Sequence, residues 1–342
     1  MNSQWPKAFW SWAKRGGQYL VRGALVCSAL LCSALLCIQL SLAAYVWEQP
    51  LEQGIPGQQG IQREQPLKPW YEIPVISHAM GTVDGRTGTN SADAFFASYQ
   101  AGQRVFEVDL QLTSDGVLVA RHDWDQISYY NLEQTYVEGG VMDWATFMST
   151  PICYYYTPLD ISNIIDLMEE YPDIYIVTDS KETDRDTVCR QMQALAWEIQ
   201  SRNHPQLWDR IIVQIYHKEM YDWIVQRAPV TNWIFTVYQL VDPDFEDLGA
   251  FCQERGIKVI TIPSDRLTKE RSQAVHRHGC RLYLHTVNRL LEMVQHSWAA
   301  DGYYSDYVTT DQLERVRRGT NKMLLSTFDR PIPSAANGLN VK

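Results

Sequence analysis

The chain has 342 residues, 45% of them hydrophobic and 20% charged, the balance of a globular protein rather than a disordered one. Its formal net charge of -10 and the lack of any dense Lys/Arg cluster exclude a nucleic-acid partner, because such binding rests on clustered cations neutralising phosphates.

The first feature along the chain is an uncharged, mostly apolar run from Gly23 to Trp47, preceded by Lys7, Lys14, Arg15 and Arg22. At about 1.5 Å per residue such a run can cross a hydrocarbon core of ~30 Å. It predicts a transmembrane helix over 23–47, with a cytoplasmic segment 1–22 before it and everything after it outside, since positive residues stay inside. The competing reading is a cleaved secretory signal ending near Ser41-Leu42-Ala43. The length of the apolar run and of the segment before it favours the uncleaved anchor, and both readings export the remainder. The expected location is therefore the cell membrane, single-pass, with the rest of the chain extracytoplasmic.

Residues 48–70 change to Gln, Pro and Gly and read as a linker. Cys27, Cys32 and Cys37 lie inside the apolar run as small filler. Cys153, Cys189, Cys252 and Cys280 have no C-x-x-C spacing, so they predict no metal cluster, and their pairing cannot be read from spacing.

From 71 to 320 short β-type runs alternate with helical-period segments, leaving 321–342 as a tail. The strand candidates are Pro74–Ser77, Val105–Leu112, Ile174–Asp179, Ile211–Ile215, Trp233–Tyr238, Lys258–Ile262, Leu282–Thr286 and Gly302–Ser305. Helix candidates between them include Ala92–Ala101, Ile161–Tyr171, Thr187–Ser201, Phe245–Arg255 and Lys269–His278. Eight strands alternating with helices over about 250 residues predict an α/β chain with a (β/α)8 TIM barrel, preceded by the N-terminal transmembrane helix. Chemistry is then expected at the C-terminal strand ends, where His78, Glu107, Asp109, Asp179, Lys181 and His285 stand.

Within Phe106-Glu107-Val108-Asp109-Leu110 the two acids lie two apart in a strand and so point to one face. Paired carboxylates call for a counter-cation, and a hard divalent ion such as Ca2+ or Mg2+ prefers oxygen donors. Downstream, Thr113-Ser114-Asp115-Gly116 predicts a tight turn, after which Val117–Ala120 runs back to Arg121-His122-Asp123.

These stretches resemble the glycerophosphodiester phosphodiesterases, of the phospholipase-C-like phosphodiesterase superfamily. His78-Ala79-Met80-Gly81 is similar to that family's H-R-G, Asn90-Ser91 to its E-N-T, Glu107-Val108-Asp109 to its E-x-D and His122-Asp123 to its H-D. Later in order, Asp179-Ser180-Lys181 resembles E-x-K, His285-Thr286-Val287-Asn288 resembles W-T-V-N, and Ala300 to Asp306 resembles the closing V-D-G-I-I-T-D. The resemblance implies that Glu107, Asp109 and Asp179 hold a divalent metal, that His78 and His122 are the general acid and base, and that Lys181 meets the substrate phosphate. The chemistry of diester cleavage asks for the same parts: cations on the non-bridging oxygens and proton transfer at the attacking and leaving oxygens.

Three departures stand out. The Arg of H-R-G is absent, leaving Arg86, Arg121 or Lys181 to supply the cation; Asp179 replaces a longer Glu; and His285 replaces Trp. At a strand end, His285 is a candidate for contact with a substrate headgroup, the alternative being a structural role. His204, His217, His276, His278 and His296 read as surface residues. The segment Trp124–Pro158, rich in Tyr, Trp and Phe, is far longer than a usual βα connection and reads as a cap over the site or as a small accessory core.

The function expected is a metal-dependent phosphodiesterase that hydrolyses a glycerophosphodiester or related phospholipid-derived diester outside the membrane. Its partners would be the diester substrate and the membrane through the N-terminal helix. A sphingomyelinase-D-like phospholipase forming a cyclic phosphate and a catalytically silent anchored binding barrel are the alternatives.

Overall fold

A computed structural model describes residues 67–318. The expected transmembrane helix, the linker up to residue 66 and the tail 321–342 lie outside the described residues. Among the described residues no helix is long and apolar enough to cross a membrane.

The strands are β1 (Val75–Ser77), β2 (Val105–Leu112), β3 (Leu118–Ala120), β4 (Tyr175–Asp179), β5 (Ile211–Ile215), β6 (Asn232–Thr236), β7 (Val259–Pro263), β8 (Arg281–His285) and β9 (Gly302–Ser305). They run in the order β1-β9-β8-β7-β6-β5-β4-β2-β3, and pairing of Ser77 with Phe106 joins β1 to β2 and closes the ring. All pairings are parallel except that of β3, which folds back on β2 as the hairpin the turn at 113–116 foreshadows. The result is the closed (β/α)8 barrel, with strand limits within a residue or two of those read from the sequence.

The helices are α1 (Ala92–Gln100), α2 (Gln126–Asn131), α3 (Trp144–Ser149), α4 (Ile161–Glu170), α5 (Arg185–Ser201), α6 (Lys218–Val225), α7 (Phe245–Arg255), α8 (Lys269–Arg277) and α9 (Leu290–His296), followed by a helical stretch over 310–318. Their starts are set by polar caps. Ser91, Asp160, Asp184, Asp244 and Thr268 each accept a backbone N–H of the first turn, which satisfies donors that have no partner inside the helix. Gly256, left-handed at φ 72°, ends α7.

Period-two alternation sorts the strand side chains into two cores. Phe106, Val108, Val213, Phe235, Ile260 and Leu282 face the helices. Ile76, Val105, Val177, Ile212, Ile234, Val259 and Tyr283 fill the barrel bottom, and Trp70 seals it, its indole donating to Asn232 Oδ1 at 3.0 Å. Trp70 therefore belongs to the barrel rather than to the linker that the composition assigns it to. Above this plug the inward positions turn polar, and the sheet register sets Asp109 beside Asp179.

The long segment after β3 is folded. Tyr129, Met142 and Phe147 pack with Val119 in one small core, and Leu132, Ile152, Cys153 and Tyr156 form another. Cys153, Cys189, Cys252 and Cys280 are all free and buried.

Candidate active site

The site is built upward from that polar layer. Glu107, Asp109 and Asp179 are buried and bring one carboxylate oxygen each to within 4.8 Å of one another. Each acid is held by one oxygen. Glu107 Oε2 accepts from the Ala79 N–H at 2.6 Å, Asp109 Oδ2 accepts from Asn90 Nδ2 at 2.8 Å, and Asp179 Oδ2 accepts from Lys181 Nζ at 2.5 Å. Of the remaining oxygens, Glu107 Oε1 and Asp179 Oδ1 are buried with no hydrogen-bond partner. Asp109 Oδ1 lies 2.7 Å from Lys181 Nζ, an ion pair rather than an aligned hydrogen bond. Buried anionic oxygens without partners are costly, and this all-oxygen donor set suits a hard divalent cation. The shorter Asp179 still reaches the cluster.

The electrostatics follow from burial and crowding. Burial, and then Asp109 beside it, push the Glu107 carboxyl well above its ordinary range. Burial also pushes Asp109 up, but Lys181, His78 and His122 outweigh it and hold that carboxyl low. Lys181 is raised well above its ordinary value because the three acids overcome its desolvation.

His78 follows β1 directly and opens a backbone run in which Ala79 (φ 48°), Met80 (φ 66°) and Gly81 (φ 98°) are all left-handed. That path aims the Ala79 N–H at Glu107. It also requires Gly81, since a Cβ there would stand 2.0 Å from Ser98 Oγ. His78 Nδ1 lies 2.8 Å from Asp306 Oδ1, and since a carboxylate only accepts, Nδ1 carries the proton. Burial lowers the His78 pKa, but the Asp306 hydrogen bond and the charges of Glu107, Asp109 and Asp306 raise it on balance to about 9.

A cavity of about 280 Å³ opens over this cluster, lined by His78, Glu107, Asp179 and Lys181 on one side and by Gln214, Thr236, Tyr238, His285, Thr286 and Tyr304 elsewhere. His122 is exposed at the rim after β3, makes no hydrogen bond among the described residues, and lines a neighbouring cavity of about 520 Å³ with the loop Gly85–Gly88, Ser128, Asn131, Leu132 and Cys153. The two histidines thus flank the acids from different cavities. His285 is inside the first cavity, edge-on to Tyr238 at 5.7 Å and to Tyr304 at 6.2 Å. Of the cations considered as stand-ins for the missing Arg, only Lys181 lines this cavity. Arg121 is buried between Trp124 at 4.5 Å and Tyr129 at 4.3 Å, and Arg86 pairs with Glu133 at 2.8 Å.

Among the five histidines read as surface residues, His204 and His276 are exposed, while His217, His278 and His296 are half-buried. Asn288 and Asp306 stand in quoted motifs yet were given no role by sequence reasoning. The structure joins them, with Asn288 Nδ2 donating to Asp306 Oδ2 at 2.6 Å and the Asp306 N–H donating to Asn288 Oδ1 at 2.8 Å. Gln214 and Thr236 were also missed, although strand alternation places both inward.

A parallel (β/α)8 barrel with an acidic cluster, a lysine and a carboxylate-held histidine at the C-terminal strand ends is the layout of a phosphodiesterase. The sequence model of the glycerophosphoryl diester phosphodiesterase family matches residues 81–310. The chain belongs to that family and is a phosphoric diester hydrolase. Among curated proteins none matches it. Solved structures share the fold at low identity. A glycerophosphodiester phosphodiesterase from Parabacteroides distasonis is 14% identical with a TM-score of 0.54, covering 75% of this chain and 98% of that one. One from Agrobacterium tumefaciens is 15% identical with a TM-score of 0.52, covering 72% and 99%. An Oleispira antarctica phosphodiesterase, solved with the product sn-glycerol-3-phosphate, is 13% identical with a TM-score of 0.55, covering 71% and 96%.

Proposed function

We propose that the chain is a divalent-metal-dependent hydrolase of glycerophosphodiesters or closely related phospholipid-derived diesters. The observation that carries this is the meeting of Glu107, Asp109 and Asp179, with unpartnered buried oxygens on Glu107 and Asp179, beside Lys181 and His78 in one cavity. These three acids would hold Ca2+ or Mg2+, which when bound supplies positive charge at the non-bridging phosphate oxygens. Lys181 supplies a second positive charge there. His78, oriented by Asp306, and His122, which lines the neighbouring cavity, would divide the proton transfers, one imidazole taking a proton from the attacking water and the other giving one to the departing alcohol of a substrate that spans both cavities. The products are that alcohol and a phosphomonoester. His285, which lines the same cavity, would meet the substrate there.

The reading of Gly23–Trp47 as an anchor, with the barrel outside the membrane, rests on the charge and hydropathy of the sequence. Protease accessibility of residues 67–318 in intact cells tests it; protection without permeabilisation would overturn it.

The test of the catalytic reading is to titrate Ca2+ and Mg2+ into the purified full-length chain, following melting temperature and glycerophosphodiester hydrolysis. A metal bound only by the native state raises the melting temperature. Glu107→Gln and Asp109→Asn are expected to abolish that rise and the hydrolysis together. Full activity of either variant in the presence of a chelator would remove the metal site.

A further inference from the structure

The two histidines are held in unlike ways. His78 is fixed through its own ring by Asp306, whereas the His122 ring makes no hydrogen bond among the described residues and takes its place from the backbone that carries it. That backbone is gripped by the residue before it. The Arg121 N–H donates to the Asp109 carbonyl at 2.9 Å, which extends the β2–β3 hairpin by one residue, and the chain then bends at His122. Arg121 Nε closes round the bend, donating to the Asp123 carbonyl at 2.6 Å, so that one residue holds the chain on both sides of the histidine.

The same guanidinium joins the bend to the long segment behind it. Its Nη1 donates to Gln134 Oε1 at 2.8 Å, and Gln134 Nε2 donates onward to the carbonyls of Thr150 and Pro151 at 3.4 and 3.3 Å. The rings of Trp124 and Tyr129 face it, and Trp124 is pinned to β2, its indole donating to the Leu112 carbonyl at 3.1 Å.

Stability alone does not explain a cation at this place. Arg121 is 1% exposed, both of its side-chain acceptors are neutral, and Nη2 has no partner. Burial pushes its pKa down to about 10, as desolvation does to a cation that its surroundings only partly compensate. An apolar side chain of similar length, such as Met, would fill the space without that cost. What it would lose is the planar fork, whose N–H donors reach Asp123 and Gln134 in one fixed geometry.

We propose that Arg121 is the positioning residue for His122: it clamps the bend 121–123 and ties it to the segment 124–151, so that this segment serves the reaction by holding one of the two imidazoles in place. The proposal rests on the reading of His122 as a proton-transfer group. A displacement of about 1 Å at such a group costs on the order of 10²-fold in rate.

The test is a double-mutant cycle in the full-length enzyme with its metal, read by hydrolysis of glycerophosphocholine. Arg121→Met is expected to lower kcat by about 10–100-fold and to leave KM within about twofold, because His122 acts on the reacting atoms and not on binding. Arg121→Lys, which keeps a charged donor on a long stem, is expected to recover part of the loss. In a His122→Ala background Arg121→Met is expected to change nothing further, and affinity for Ca2+ or Mg2+ by isothermal titration should match that of the native chain. A merely structural arginine would lower activity by the same factor with and without His122; that additivity, or native kcat in Arg121→Met, would overturn the proposal. If Arg121→Met shows no cooperative melting transition, Gln134→Met carries the same cycle with a smaller expected loss, since it cuts the tie to the segment and keeps the guanidinium. Native activity in His122→Ala would remove His122 from the chemistry and this proposal with it, while leaving the metal site to its own test.

Discussion

His78 donates from Nδ1 to Asp306 Oδ1 over 2.8 Å, which leaves Nε2 as the nitrogen available to a substrate in the cavity. Asp306 is in turn fixed by Asn288 and by Thr82, whose hydroxyl donates to the Asp306 carbonyl at 2.6 Å. Asp306→Asn should therefore keep an acceptor for Nδ1 but lose the charge that raises the imidazole. We expect kcat/KM to fall by about 10–100-fold, less than the 10²–10⁴ of losing the imidazole itself, and the limb of the pH–rate profile belonging to His78 to move to lower pH. A fall without any such movement would make Asp306 merely structural. The same pair predicts a stability trend in the metal-free protein. A histidine raised from 6.5 to about 9 contributes stability that is complete below pH 6.5 and is lost as pH rises through 9, so melting temperature should decline across that window in the native chain and less in Asp306→Asn.

Asn90 grips Asp109 from both sides, donating from Nδ2 to Oδ2 at 2.8 Å and accepting the Asp109 N–H at 3.0 Å. Its φ of 50° makes alanine a confounded substitution, whereas Asn90→Gly keeps the backbone at ease and removes only the side chain. Loss of such a supporting partner typically costs 10–100-fold in metal affinity. Isothermal titration with Ca2+ or Mg2+ should show a weakening of that order; unchanged affinity would mean that Asp109 does not need the clamp.

Much of this was legible in the sequence because each feature had a local cause. The strands announced themselves by short apolar runs, and the placement of Glu107 and Asp109 on one face needs only the two-residue period. That Asp179 joins Asp109 came from the resemblance to the phosphodiesterase family, because a closed sheet makes their strands neighbours without fixing the register that sets the two side by side. What stayed hidden depends on long-range geometry. Nothing local tells that Arg121 is swallowed by Trp124 and Tyr129 while Lys181 stays in the cavity, or that His122 opens on a different cavity from His78. Asp306 lies 228 positions from His78, and their contact exists only because β9 neighbours β1.

Gly302 shows the same dependence on a distant partner. A Cβ there would lie 2.4 Å from Tyr283 Cζ, and the Tyr283 ring cannot withdraw, because its hydroxyl donates to the carbonyls of Tyr71 at 3.0 Å and Ile73 at 2.9 Å. Gly302→Ala is overpacking in the barrel interior and should cost about 1–3 kcal/mol, which for a domain of this size lowers the melting temperature by very roughly 2–12 °C. Tyr283→Leu in the same chain should recover part of the loss. A Gly302→Ala protein as stable as the native one would show that the barrel relaxes around the contact.

The segment after β3 divides into rings that hold it together and rings that face outward. Tyr129 and Phe147 are 1% and 0% exposed, whereas Tyr130, Tyr154 and Tyr155 are 81%, 67% and 82% exposed. Tyr154 and Tyr155 follow Cys153, which lines the His122 cavity, so the outward rings stand beside the rim where an alcohol arm would enter or leave. The buried rings belong to accessory cores that also cover Val119 and stack on Arg121, so shortening the segment would expose β3 as well as remove the cap. Point variants separate the two roles. Phe147→Ala should cost about 3–5 kcal/mol, as emptying a packed aromatic site does. Replacing Tyr154 and Tyr155 together by Ser should leave the melting temperature nearly unchanged, because neither ring is buried. It should nonetheless alter the order of preference among diesters that differ in the bulk of the leaving alcohol, more than it alters the rate with a minimal diester. An unchanged order in that double variant, with the fold intact, would assign the whole segment to packing alone.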